Sequence, residues 1–184
     1  MKKQSIFIYA EWLAVFLSLC FTYFLGEEYR WSWWLGGSAS LIYIFLVARK
    51  KLFAETALHL FYIIMAIMGY RNWGVASEDM LGLRVDGIQH VFVLVSGLVL
   101  SVLTGAALKK FSSAKTPLLD ATTTVFSILA TLMMVAYVRE NWLYWIIIDL
   151  ASIGLYAGRR MWPTAILFLL YSLLALNAYL SWGT

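Results

Sequence analysis

The chain has 184 residues, of which 62% are hydrophobic and only 13% charged, with a formal net charge of +4 and a mean hydropathy of +0.79. A soluble domain carries roughly a quarter charged residues, so an ordinary wetted surface is excluded. A lone cysteine, Cys20, excludes a disulfide framework, two prolines argue against a loop-rich fold, and the modest positive charge is what orienting membrane helices requires, without implying nucleic acid.

Seven apolar runs follow, each near the length that crosses a bilayer at about 1.5 Å rise per residue. The first, Ile6–Leu25, is preceded by Met1-Lys2-Lys3. It ends in no small-x-small cleavage site, so it reads as a retained membrane helix rather than a signal. Glu11 near its start reads as a helix cap or a local partner of lysines. The second run, Trp31–Ala48, opens on Trp31, Trp33 and Trp34, with Ser38 deeper. The third, Phe53–Trp73, starts with Glu55 and His59, which at i, i+4 read as a pair. A polar loop, Gly74–Gly87, leads to the fourth run, Ile88–Leu108, which begins with Gln89 and His90. Gln89 and His90 are candidates to touch an outward-facing cavity. A link over Phe111–Pro117 enters the fifth run, Leu118–Val138, at a proline tolerated in a first helical turn. Asp120 there reads as Glu11 does, and one or two of Thr122, Thr123 and Thr124 are candidates to line a pathway. The sixth run, Trp142–Gly158, holds Asp149; the seventh, Trp162–Trp182, holds Asn177, an amide that needs partners at that depth.

Lys and Arg divide unequally between the two ends of these runs. Lys2, Lys3, Arg49, Lys50, Lys51, Lys109, Lys110, Lys115, Arg159 and Arg160 gather on one side, against Arg30, Arg71, Arg84 and Arg139 on the other. This places the N-terminus in the cytoplasm and the C-terminus outside.

The runs also repeat. Trp31, Trp34 and Ser38 read W-x-x-W-x-x-x-S, and Trp142, Trp145 and Asp149 read W-x-x-W-x-x-x-D. Tyr62, Ala66, Gly69, Tyr70 and Trp73 match Tyr171, Ala175, Ala178, Tyr179 and Trp182 at identical spacing. The predicted fold is therefore all-α: a single membrane domain over 1–184, with three-helix bundles at 5–74 and 117–183 and a linker helix at 88–111. Because the odd helix inverts the chain, the bundles form a parallel repeat about an axis along the membrane normal, with a cavity on that axis.

Positions i, i+3 and i+7 share one helix face, so Trp142, Trp145 and Asp149 project together, as do Trp34 and Ser38 with Trp31. Tryptophans near the ends of spans are ordinary interfacial anchors, and Trp31, Trp33, Trp73 and Trp182 read that way first. Asp149 differs, since a carboxylate facing lipid costs about 2.5–3.5 kcal/mol even on the lenient scale. It must face protein or water, either in a helix–helix hydrogen bond or against a substrate or ion. An acid beneath two indoles suits a cationic heteroaromatic ligand. Ala66, Gly69, Ala175 and Ala178 read as close-packing residues, with Tyr62 and Tyr171 as candidate cavity walls. No phosphate loop or metal-ligand spacing is present, so no cofactor or metal is expected, ATP-driven pumping by this chain alone is excluded, and nothing recommends an enzyme.

These phrases carry a resemblance. Glu11 to Val15, Trp31 to Gly36, Ser38 to Tyr43 and Tyr62 to Trp73, with Glu140 to Asp149 and Tyr171 to Trp182, resemble the two halves of PnuC-type vitamin transporters. The resemblance implies a 3+1+3 plan like that of the SWEET sugar facilitators, a homotrimer, and a place in the bacterial inner membrane. It also implies facilitated diffusion of an unphosphorylated vitamin (nicotinamide riboside, thiamine or riboflavin) that a cytoplasmic kinase then traps. Family members that carry nicotinamide riboside tend to have Asn where this chain has Asp149. A carboxylate suits the amine of an aminopyrimidine and balances a thiazolium charge, so a thiamine-type member is expected first and a nicotinamide riboside carrier next. A proton-coupled transporter with Asp149 or Glu11 as relay, and a non-transporting scaffold, are the remaining readings.

Overall fold

The computed structural model describes residues 2–49, 53–73, 87–112 and 116–182. Residues 74–86 of the expected outward loop and 113–115 of the polar link lie outside the described residues. Among the described residues seven helices are seen: α1 (Lys2–Gly26), α2 (Ser32–Arg49), α3 (Phe53–Asn72), α4 (Gly87–Phe111), α5 (Pro117–Val135), α6 (Asn141–Gly158) and α7 (Trp162–Ser181). Pro117 and Pro163 stand in the first turns of α5 and α7, where a missing N–H costs nothing. By length and composition α1, α4, α5 and α7 qualify as membrane spans. The other three, α2, α3 and α6, spend part of their apolar character on Ser, Tyr, His, Glu and Asp turned inward.

Six helices close a ring. α1 packs on α2, α2 on α3, α3 on α5, α5 on α6, α6 on α7, and α7 returns to α1. α4 stands outside this ring against α5. Its inner stripe is Gly97, Ser101 and Gly105, small residues spaced to let backbones approach. A Cβ on Gly105 would lie 3.2 Å from the Leu118 backbone, which shows how close the two helices come. His90 adds a tie to α6, with Nδ1 3.0 Å from the Tyr144 hydroxyl. The opposite face of α4 exposes Ile88, Phe92, Val95 and Val102, as a lipid-facing helix does.

Equivalent positions in the two halves stand 109 residues apart. α1 and α5 end in the same way: Glu28 and Tyr137 hold left-handed φ values of 60° and 59°. Each is flanked by the paired carbonyl bonds of a Schellman turn, Tyr29 N–H to Phe24 O and Val138 N–H to Met133 O, both 2.9 Å. Arg30 then donates from Nε to the Tyr70 carbonyl at 2.5 Å, and Arg139 to the Tyr179 carbonyl at 2.7 Å. Each guanidinium also lies over the ring of the same tyrosine, at 4.3 and 4.8 Å. These arginines fasten the last turns of α3 and α7 to the preceding loops.

This spacing corrects the register of the repeated tryptophan phrase. Trp31 and Trp142 are 111 positions apart, two more than the fold requires. The partner of Trp142 is Trp33, that of Trp145 is Gly36, and that of Asp149 is Ser40. A shift of two residues turns a helix by about 200°, so it moves a whole stripe to the opposite face.

Candidate functional site

The ring encloses a cavity of about 160 Å³ lined by side chains from all six of its helices. Much of the lining comes in symmetry-related pairs: Ser18 with Ser127, Thr22 with Thr131, Trp33 with Trp142, Tyr62 with Tyr171, and Ala66 with Ala175. Tyr62 reaches across the α3–α5 seam toward Ser127 and Thr131, and Tyr171 across the α7–α1 seam toward Ser18 and Thr22. The two seams between the halves are therefore built alike, from a tyrosine facing two hydroxyls on the neighbouring helix.

At five pairs of equivalent positions the symmetry breaks. Ser40 is matched to Asp149, Gly36 to Trp145, Tyr43 to Ser152, Glu55 to Thr164, and His59 to Phe168. A ligand without two-fold symmetry needs such differences, because matched walls would bind it in two orientations alike. Asp149 is only 1% exposed, and its Oδ1 has no hydrogen-bond partner. Trp142, also 1% exposed, leaves its indole N–H unpartnered, as do Trp33 and Trp145. One carboxylate oxygen and three indole donors of the lining are thus buried without protein partners among the described residues.

Aromatic rings close one end. Trp73 and Trp182, equivalent residues, meet with ring centroids 6.3 Å apart, which puts the pseudo-two-fold axis between them. Tyr137 packs on both, at 5.3 and 4.6 Å, while Trp33 and Trp142 support them from below at 6.2 and 5.4 Å. Gly69 makes room for this layer, since a Cβ there would overlap the Trp33 indole. Ala178 meets Gly26 in a similar close approach. The small residues of the Tyr-x-x-x-Ala phrase thus serve packing, as expected.

Polar contacts close the other end, again at equivalent places. At the α7–α1 seam the Thr164 hydroxyl donates to Glu11 at 2.9 Å. The matching positions at the α3–α5 seam are Glu55 and Asp120, two acids that would repel. Arg159, in the turn between α6 and α7, lies between them and donates to Glu55 and, at 2.6 Å, to Asp120. Thr116 also donates to Asp120, at 3.2 Å.

Several expectations from sequence need correction. Trp34 is 59% exposed and packs at a tilt against Tyr70, with centroids 4.9 Å apart, and Ser38 is also exposed; both lie on the wrong face for the two-residue reason above. Asn177 is exposed on α7, outside the cavity lining. Gln89 lies on α4, outside the ring, and does not line the cavity. Glu55 pairs with Arg159 rather than His59, and Asp120 also pairs with Arg159. Glu11 accepts from the Thr164 hydroxyl. Trp33 and Trp182 are buried in the aromatic layer, not anchored at a lipid interface. Trp142, Trp145, Asp149, Tyr62 and Tyr171 do line the cavity, and so do Thr123 and Thr124.

Sequence reasoning missed His59, Tyr43, Ser40 and Ser152 as lining residues. A repeat aligned at 109 throughout would have found Ser40 opposite Asp149. Among the described residues no group of three His, Cys, Asp or Glu is placed to hold a metal ion.

Comparison with known proteins agrees with this architecture. Residues 8–184 match the family model described as nicotinamide mononucleotide transporter. Among curated relatives, the nicotinamide riboside transporter PnuC of Neisseria mucosa is 24% identical over 86% of this chain and 66% of its own length. The PnuC of Haemophilus influenzae is 24% identical over 93% of this chain and 87% of its own, and that of Escherichia coli 24% over 60% and 48%. The chain thus spans about half to two-thirds of the length of the Escherichia and Neisseria relatives. The crystal structure of the vitamin B3 transporter PnuC superposes with a TM-score of 0.79 at 22% identity, covering 95% of this chain and 80% of that one, which shows a shared fold. With a match running almost from end to end and a common ring of helices, the chain belongs to the nicotinamide mononucleotide transporter family of PnuC-type membrane proteins.

Proposed function

We propose that this chain carries an unphosphorylated, positively charged vitamin across the membrane by facilitated diffusion, binding it in the cavity between its two halves. The observation that carries this reading is the buried Asp149 carboxylate, with Oδ1 free, lying on the same face of α6 as Trp142 and Trp145. The indoles supply flat faces for a heteroaromatic ring and favour its charge, while the acid accepts from its donors. Relatives named for nicotinamide riboside make that nucleoside the first candidate. It displaces thiamine from the place the sequence alone suggested.

Thiamine stays as a second reading for one reason: the carboxylate of Asp149, where the resemblance expects an amide. An acid matches the exocyclic amine of an aminopyrimidine, whereas an amide matches a carboxamide with both a donor and an acceptor. Tryptophan fluorescence of the purified protein, titrated with each vitamin, decides between them. Proteoliposome uptake then tests transport. Quenching by neither vitamin, or binding without flux, would remove the carrier reading and leave a non-transporting scaffold. Facilitated diffusion further expects uptake indifferent to an imposed pH gradient; a gradient-driven rise would instead make Asp149 a proton relay.

The same reading puts the Arg159 end in the cytoplasm and the aromatic layer outside, in a bacterial inner membrane, as the distribution of basic residues supports. The resemblance adds a homotrimer, which mass measurement in detergent would check.

A further inference from the structure

One departure from symmetry in the first half of the cavity is His59. Its equivalent, Phe168, also lines the cavity, so a ring of this size is accommodated there without any nitrogen. The imidazole is held in one orientation by two neighbours. It stacks on Tyr43, with centroids 4.9 Å apart and planes 9° from parallel, and meets Tyr62 edge-on at 5.5 Å. Its Nδ1 is buried and has no hydrogen-bond partner. Glu55, one turn away, is engaged by Arg159 and does not serve it. Tyr62 and Asp149 line the same cavity. The cavity lining therefore carries two polar groups from different halves, a carboxylate on α6 and an imidazole on α3.

We propose that His59 is a specificity-determining residue that hydrogen-bonds the bound vitamin through Nδ1, reading a polar group at a distance from the one Asp149 reads. This rests on the cavity being the vitamin site. Two polar poles select ligands with hydrogen-bonding groups at both ends over flat cations with one. A site that loses such a partner leaves a buried group unpaired and rejects ligands that cannot satisfy it.

The test combines two measurements on full-length protein. Affinity for nicotinamide riboside and for thiamine is read by tryptophan quenching in the wild type, in His59→Phe and in His59→Gln. His59→Phe copies the residue at the equivalent position and keeps the ring. Loss of about tenfold or more in affinity is expected for His59→Phe, whereas His59→Gln, which keeps a donor and an acceptor, should stay within about threefold. In parallel, wild-type protein labelled with 15N-histidine is titrated with the vitamin that binds more tightly. His59 and His90 are the two histidines of the chain, so a His90→Gln sample assigns the signals. The His59 nitrogens should shift on saturation while those of His90 do not. This second measurement decides the matter even where His59→Phe fails to fold. Wild-type binding with unmoved His59 nitrogens, or full affinity in His59→Phe, overturns the role of His59 and leaves the carrier reading standing. Absence of wild-type binding overturns the carrier reading, and the role of His59 with it.

Discussion

Replacing Arg159 by methionine should destabilise the protein more than removing any other single charge among its described residues. Arg159 donates to two carboxylates, Glu55 and Asp120, that are 7% and 5% exposed. Each charge-assisted hydrogen bond contributes about 1.5–3 kcal/mol, and leaving a buried acid unpaired costs in the range of about 3–5 kcal/mol. The arginine side chain keeps 18% of its surface, so water relieves part of that cost. A net loss of about 3 kcal/mol is expected, or roughly 6–12 °C in Tm for a chain of this size. Nine tryptophans give a strong intrinsic signal for thermal unfolding in detergent. The reasoning makes a second demand. Adding Glu55→Gln and Asp120→Asn to Arg159→Met should recover most of the loss, because the penalty comes from the stranded acids. A Tm within about 2 °C of wild type for Arg159→Met, or no recovery in the triple variant, would refute the argument.

Other outcomes follow from the same geometry. Asp149→Asn should weaken thiamine more than nicotinamide riboside; equal losses, or none, in fluorescence titrations would dismiss Asp149 as the selective group. Trp145→Ala should lower vitamin affinity by about 1–3 kcal/mol through lost stacking, while Trp34→Ala, on the outer face, should leave it within twofold. The reverse order would restore the uncorrected register. Gly69→Ala should cost about 1–3 kcal/mol by forcing a methyl group into the Trp33 ring. Gly154→Ala meets nothing within 4 Å and should stabilise α6 by up to about 1 kcal/mol, so the pair of Tm values separates crowding from helix propensity.

The sequence by itself determined the class of this protein. Hydropathy marks seven helices because each must satisfy its own backbone in lipid, and the observed boundaries fall within a few residues of those expected. The odd number of spans makes the repeat parallel, and the Asp149 face follows from helical periodicity alone, since Trp142, Trp145 and Asp149 do line one cavity. What periodicity leaves open is which face of a helix turns inward when two phases are equally rich in tryptophan. Trp31, Trp33 and Trp34 crowd one turn, so Trp34 and Ser38 fit the repeated motif as written while Trp33 and Ser40 fit the packed ring. Only the matched Schellman turns at Glu28 and Tyr137, and the arginines that follow them, set the phase. Likewise Glu55, Asp120 and Arg159 are separated by up to 104 positions along the chain, and His59 owes its place to Tyr43 on another helix. Such contacts join charges and rings through space. No local pattern encodes them, because their partners are chosen by how the helices dock.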